Sequence, residues 1–276
     1  MTISVILSTY SKERPKYLDA AIKSIWIDQI RKPDEIVLVE DGTLTLELDT
    51  IVNKWKNGIG APFHVIYNKE NKGLASALND AVSIATGDLL ARMDSDDISL
   101  PERFLLQERY MEEHPDVDIL GGSLCEFNDE GTLNNVRAYP SSMEQIRKSI
   151  HRASPMGHPT VMFRRRFFDE GFRYSSKYHI CEDVVLWFDA IIAGKVLNNM
   201  PQVLLKFRRN DSMLNRRSRE KAWGEFLAYN NGIFRMNGAF SYKYIFSVLR
   251  LIFRLLPVSA IRYFYNSGLR HRITSK

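Results

Sequence analysis

The densest chemistry in the chain is Arg92-Met93-Asp94-Ser95-Asp96-Asp97, three carboxylates within four residues. Acids crowded this closely repel one another unless a cation neutralises them. Hard divalent ions take oxygen ligands, and Mg2+ or Mn2+ is commonly shared between one or two carboxylates and substrate phosphates, so a metal-held diphosphate is a natural occupant. The same spacing also suits a solvated loop, because Asp and Ser favour turns and helix N-caps. Lys72-Gly73 sets a cation beside a flexible backbone at a helix start, a favourable place for phosphate or an ordinary turn. Asp41-Gly42 offers a hydrogen-bond acceptor at a strand end, or again a turn. A further acidic pair, Glu182-Asp183, opens a helix, where the helix dipole alone would favour it.

These residues need a scaffold, and the periodicity supplies one. Ile3 to Ser8 is a continuous apolar run of strand length, and Pro15 to Ile30 has apolar residues at helical spacing. Glu35 to Glu40, Phe63 to Tyr67 and Asp88 to Met93 read as further strands, with helices at Leu44 to Trp55 and Leu74 to Ala85. Such alternation predicts an α/β fold, a mostly parallel sheet with helices on both faces whose ligands sit beyond the carboxyl ends of the strands. Those ends are Thr9-Tyr10, Asp41-Gly42 and Asp94 to Asp97. Ser99 to Glu102 reads as an N-cap and early proline for a helix running to about His114. Val117 to Phe127 and Leu133 to Tyr139 flank a turn and predict an antiparallel hairpin, a small extension of the sheet. A strand near 160–164, a helix from Glu182 to Ala193 and a strand near 202–207 follow.

In order along the chain, Ser8-Thr9-Tyr10, Glu40-Asp41-Gly42, Asn71-Lys72-Gly73-Leu74-Ala75 with Asn79, and Gly87-Asp88 leading to Asp94-Ser95-Asp96-Asp97 resemble the motifs of family 2 inverting glycosyltransferases of the GT-A fold. The match covers residues 1 to about 210. The resemblance implies a GT-A, Rossmann-like sheet, with 1–100 as the nucleotide-sugar half, 101–214 as the acceptor half and 215–276 as a helical tail. It implies that Thr9, Tyr10 and Asp41 line a nucleotide pocket with a uracil-type contact at Asp41, and that Lys72, Gly73 and Ser95 serve the donor. By the same likeness Asp94 contacts the donor's ribose or sugar and joins Asp96 on a Mn2+ or Mg2+ ion that eases departure of the diphosphate, with Asp97 behind them. An inverting transfer also needs a base opposite the leaving group. Glu182-Asp183 resembles the family's acidic pair, which makes Asp183 the base and lets Glu182 orient an acceptor hydroxyl. His158 lies in the acceptor segment as a candidate sugar or phosphate ligand. Phe207 to Ser212 resembles a late loop that commonly carries histidine where Asn210 stands, a departure that shifts phosphate contact towards Arg208 or Arg209.

The net charge is +5, but eight Lys and Arg follow Glu225 with no acid among them. Residues 1–225 are therefore net acidic, a poor nucleic-acid surface, and no nucleic-acid partner is expected. Two cysteines without metal-ligand spacing, and an N-terminus lacking a basic leader, predict a reducing, cytoplasmic setting. From Tyr242 to Leu256 the chain is apolar, with Lys243, Ser247, Arg250 and Arg254 on one helical face. Interrupting cations make spanning unfavourable; the expectation is a helix lying on an anionic membrane, with packing on the catalytic domain or a partner as the alternative. The clusters Arg164 to Arg166 and Arg216 to Arg219 read as solvated, or as contacts for an anionic lipid-linked acceptor. The expected activity is transfer of a hexose or N-acetylhexosamine to a lipid-linked oligosaccharide of a surface polysaccharide, by an enzyme on the inner face of the cell membrane. A haloacid-dehalogenase-type phosphatase fits less well: its DxD follows the first strand, and Ile98 stands at its fifth position. A non-catalytic membrane or glycan-binding module is the remaining alternative.

Overall fold

A computed structural model of the chain describes residues 1–131, 133–178, 180–209 and 218–256. Asn210 to Arg217 and everything after Leu256, including four of the tail's cations, lie outside them. The first half follows the predicted alternation: β1 (Ile3–Thr9), α1 (Pro15–Trp26), β2 (Glu35–Glu40), α2 (Leu46–Ile59), β3 (Phe63–Tyr67), α3 (Leu74–Ile84) and β4 (Leu89–Asp94). Pro15 starts α1, where its fixed φ suits the first turn and its missing N–H loses nothing. The Thr45 side chain caps α2 by accepting from the Leu48 N–H. These four strands are parallel, in the order β3-β2-β1-β4. Successive side chains alternate between faces: Ile6, Val37, Val39 and Leu90 pack into one core, and Val5, Leu7, Ile36, Leu38 and Ala91 into the other. Burial on both faces is why these strands are continuously apolar.

The second half comprises β5 (Ile98–Ser99), α4 (Arg103–Glu113), β6 (Ile119–Phe127), β7 (Asn134–Arg137), α5 (Met143–Ser149), a 3-10 turn at His158–Thr160, β8 (Met162–Arg164), α6 (Arg165–Asp169), α7 (Glu182–Ile192), β9 (Leu197–Arg208), α8 (Arg219–Asn237) and α9 (Tyr244–Leu255). The sheet continues from β4 through antiparallel β8 and β6, then β9 parallel to β6, with β5 at the edge and β7 paired to β6 as the predicted hairpin. This is the expected α/β architecture with a mixed extension.

Three local expectations change. Ser99 is not a helix cap; it pairs with Leu205 in β5, its N–H bonds to the Ser24 hydroxyl, and α4 begins after Glu102 without a side-chain cap. α1 ends at Trp26, four residues early. β9 begins at Leu197 because Pro201, which cannot donate to the ladder, is accommodated where the pairing with β6 shifts register beside Gly122 and Ser123.

The tail, as far as it is described, is docked on the body. Gly232 of α8 sits against the Phe188 ring of α7, Tyr229 meets Phe188 edge-on at 6.1 Å, and Arg235 pairs with Asp189. A Cβ on Gly232 would lie 2.3 Å from that ring. Gly232→Ala is therefore expected to destabilise the fold by about 1–3 kcal/mol through overpacking. At Gly224 of the same helix an added Cβ meets nothing within 4 Å. There Ala should stabilise by up to about 1 kcal/mol through helix propensity. Denaturant titration of both variants checks the contrast, and equal behaviour would deny the close α7–α8 contact.

Candidate active site

Parallel register brings the strand ends into one row. Ser8 pairs with Asp94, Thr9 pairs with Glu40, and the Asp41 N–H donates to the Thr9 carbonyl at 2.8 Å. A cleft of about 600 Å³ opens there, lined by Thr9, Tyr10, Asp41, Gly73, Asp94, Ser95 and Asp96 of the predicted set. The Asp41 carboxylate accepts from the Lys72 N–H at 2.7 Å and the Gly73 N–H at 2.9 Å, so it pins the loop that starts α3. Gly42 makes this possible: its φ is +89°, and a Cβ would come within 2.9 Å of the Asn71 nitrogen. Lys72 contributes its backbone to this arrangement, while its side chain is not among the lining groups. The Thr9 hydroxyl oxygen is buried without a hydrogen-bond partner among the described residues.

Asp94, Asp96 and Asp97 each bring a carboxylate oxygen within 4.8 Å of the others. Asp94 is held by both terminal nitrogens of the buried Arg92, at 2.6 and 2.5 Å. Asp97 is fully buried; one oxygen accepts the Arg208 N–H at 2.8 Å and the other, Oδ2, has no partner among the described residues. Burial, with repulsion from Asp94 and Glu13, pushes Asp96 up to about 7, and burial with its two acidic neighbours holds Asp97 well above the carboxylate range. A divalent cation would relieve this repulsion, and an all-oxygen donor set with an orphaned carboxylate oxygen fits a hard ion.

The sequence left some of this site unseen. Lys12, Glu13 and Arg14 line the cleft from the β1–α1 connection, Tyr17 from the first turn of α1, and Lys221 reaches it from the first turn of α8. Glu13 accepts a 2.8 Å hydrogen bond from the Ser95 hydroxyl. The β1–α1 residues had a usable signal, since the connection after β1 must cross the ligand edge of the sheet. Lys221 had none, because only the packing of α8 brings it there. Arg208 and Arg209 are already committed. Arg208 is buried, donates through Nε to the Asp96 carbonyl at 2.7 Å, pairs with Asp129 at the hairpin tip, and stacks over Tyr17 at 4.0 Å. Arg209 donates to both oxygens of Glu126 at 3.1 Å. Arg208 thus braces the Asp96-Asp97 loop.

Glu182 and Asp183 open α7 within electrostatic reach of that loop. Arg92 favours ionisation of both, while Asp94 opposes ionisation of Glu182. Burial and the neighbouring Asp183 push Glu182 up to about 7; burial raises Asp183 against the pull of the Val184 N–H, and the Ser154 hydroxyl donates to Asp183 Oδ2 at 3.3 Å. The preceding residue, Cys181, has φ +72°, the left-handed region, alone among the described non-glycine residues. His158 does not stand open to an acceptor. It is buried, with Nε2 3.0 Å from the Tyr174 hydroxyl and its ring edge-on to Trp187, and burial holds it well below the usual histidine range.

Comparison with known proteins converges on one family. The model of "Glycosyl transferase family 2" matches residues 4–172, and that of "Glycosyl transferase family group 2" matches residues 89–269. The amylovoran biosynthesis glycosyltransferase AmsE of Erwinia amylovora is 32% identical over 95% of this chain and 97% of its own. An Escherichia coli UDP-Gal:alpha-D-GlcNAc-diphosphoundecaprenol beta-1,3-galactosyltransferase is 30% identical over 97% of this chain and 96% of its own. In fold, the chain is similar to the mannosyltransferase PcManGT of Pyrobaculum calidifontis, solved with GDP-Man and Mn2+, at a TM-score of 0.64 and 14% identity over 97% of this chain and 80% of that one. A family match across more than half of the chain, with relatives this similar along nearly its whole length, means that the protein belongs to glycosyl transferase family 2.

Proposed function

We propose that the chain moves a hexose or N-acetylhexosamine from a UDP-sugar to a hydroxyl of a lipid-linked glycan in surface polysaccharide assembly, with inversion at the anomeric carbon. The observation that carries this is the cleft at the strand ends with its carboxylate cluster; Glu182 and Asp183 are not among the lining residues of that cleft, but Glu182 lies within electrostatic reach of Asp94. The UDP donor and the lipid carrier are supported by the activity of the Escherichia coli relative, and the polysaccharide context by the Erwinia amylovora one. A lipid-linked acceptor sets the enzyme on the inner face of the cell membrane, with the donor half before residue 101 and the acceptor half after it.

In this reading Asp41 and Thr9 line the pocket for the base and ribose, with Tyr10 beside them, and Gly73 leaves the start of α3 open to the donor. Lys12 and Lys221 bring positive charge to the diphosphate. Asp96 with Asp94 would hold Mn2+ or Mg2+, which when bound neutralises charge on the departing diphosphate. Arg92 keeps Asp94 oriented, and Ser95 is tied to Glu13. Glu182 orients the acceptor, and Asp183 takes its proton. The acceptor oxygen then forms a bond to the anomeric carbon as the carbon–oxygen bond to the diphosphate breaks and its electron pair leaves with the nucleotide. A raised Asp183 is a stronger base than an ordinary aspartate, which suits this task.

Nucleotide release from a UDP-sugar screen, with a lipid-linked acceptor and Mn2+ present, tests the reading. Asp96→Asn should abolish the response to Mn2+, and persistence of that response would exclude the assigned cation site. Asp183→Asn should lower kcat by about 10²–10⁴ while donor binding is kept. A smaller loss, within about threefold, would remove Asp183 from the role of base. Because the base must be ionised, activity is expected to rise with pH through a limb above the usual carboxylate range. Glu182 titrates with Asp183 as a pair. Glu182→Gln removes a repelling charge and should move that limb to lower pH; a shift upward would contradict the coupling.

A further inference from the structure

Helix α9 is amphipathic in an unexpected sense. The sequence places Ser247, Arg250 and Arg254 on one face, which as a membrane helix would offer cations to lipid. In the structure that face is turned inward. Ser247 is fully buried and donates to Asn230 of α8 at 3.0 Å. Arg250 and Arg254 both pair with Glu225 of α8, itself buried, at 3.1 and 2.6 Å; Arg250 also stacks over Tyr229 at 4.2 Å and donates to the Arg152 carbonyl. The opposite face carries Ile245, Val248, Leu249, Ile252 and Leu255, each between 43% and 55% exposed. Before it stand Phe240 and Tyr242, more exposed still. The apolar surface continues into an open groove of about 640 Å³ between α8 and the start of α9, lined by Phe226, Leu227, Phe234 and Tyr244 with Lys177 at its rim.

Exposed apolar surface on this scale, anchored from behind by two ion pairs to the buried Glu225, marks an interaction face. Its occupant is indicated by charge. The twenty residues after Leu256 carry Arg262, Arg270, Arg272 and Lys276 and no acid, and Lys243 precedes the helix. Two copies meeting through this face would bring those like charges together, whereas an anionic bilayer offers hydrocarbon to the helix and phosphate to the flanking cations. No helix among the described residues is long and apolar enough to cross a membrane. We infer that α9 binds the surface of an anionic lipid bilayer through Ile245, Leu249 and Ile252, while Arg250 and Arg254 fasten the helix to the catalytic domain through Glu225. This rests on the proposed reading for the identity of the partner, a membrane bearing the acceptor, and adds which side chains enter it.

Flotation of the full chain with vesicles of equimolar phosphatidylglycerol and phosphatidylcholine tests the inference. Leu249→Gln combined with Ile252→Gln should lower vesicle partitioning by at least about tenfold. The thermal midpoint, and nucleotide release with a water-soluble acceptor glycan, should stay at wild-type levels because both side chains are exposed. Undiminished flotation of the double variant overturns the proposal. So does a lipid-free wild type that sediments as a dimer while the variant is a monomer, since a second copy would then own the face. A protein that floats as predicted yet transfers no sugar to a lipid-linked acceptor keeps this surface and defeats the acceptor reading instead.

Discussion

The constraint on which the site depends is the mutual repulsion of acids at the mouth of the sheet. Three carboxylates converge at the end of β4, and the chain offsets them from below rather than from solvent. Arg92 is buried one layer beneath, gripping Asp94 with two nitrogens, and Arg208 arrives from β9 to hold the Asp97 carboxylate and the Asp96 carbonyl. A buried arginine is tolerable only because it is paired, and removing one partner of such a pair typically costs about 3–5 kcal/mol. The two arginines do not cancel the crowding: Asp96 stays raised, and Asp97 Oδ2 has no partner among the described residues. The site is held together as protein while keeping an appetite for positive charge.

Both halves of the sheet are joined by this compensation. Arg208 belongs to β9, its guanidinium is stacked on Tyr17 of α1, and Asp129 of the hairpin turn clamps both. The β1–β4 part of the sheet and the β6–β9 extension thus meet at one cation. Arg92 also favours ionisation of Glu182 and Asp183, so one buried guanidinium influences both acidic groups. The apolar cores above and below the sheet fix the register that makes these meetings possible.

Most of the scaffold was legible because β1, β2 and β4 are buried on both faces and carry unbroken apolar runs, a pattern few other structures need. Asp41 and the Asp94 to Asp97 cluster were legible because strand ends in a parallel sheet fall on one edge. Glu13 and Lys221 were harder. A charged residue in a loop says nothing about its neighbours until the chain has folded, and Lys221 depends on α8 docking against α7. His158 misled for the complementary reason: its residue type suggested chemistry, but Tyr174 and Trp187 enclose it. In α9 the helical period correctly gathered Ser247, Arg250 and Arg254 on one face. Which way that face points was decided by Glu225, on a different helix, and periodicity carries no information about it.

The left-handed backbone at Cys181 has its own meaning. A side chain with a Cβ in that region is held there against its preference, at about 1–3 kcal/mol, and the surrounding packing must enforce it. Glycine would relax the residue, but it would remove a side chain packed against the core and leave the backbone directly ahead of Glu182 and Asp183 freer. The strained peptide thus fixes where the first turn of α7 begins, and with it the direction in which Glu182 and Asp183 leave the backbone, at the expense of some thermodynamic robustness.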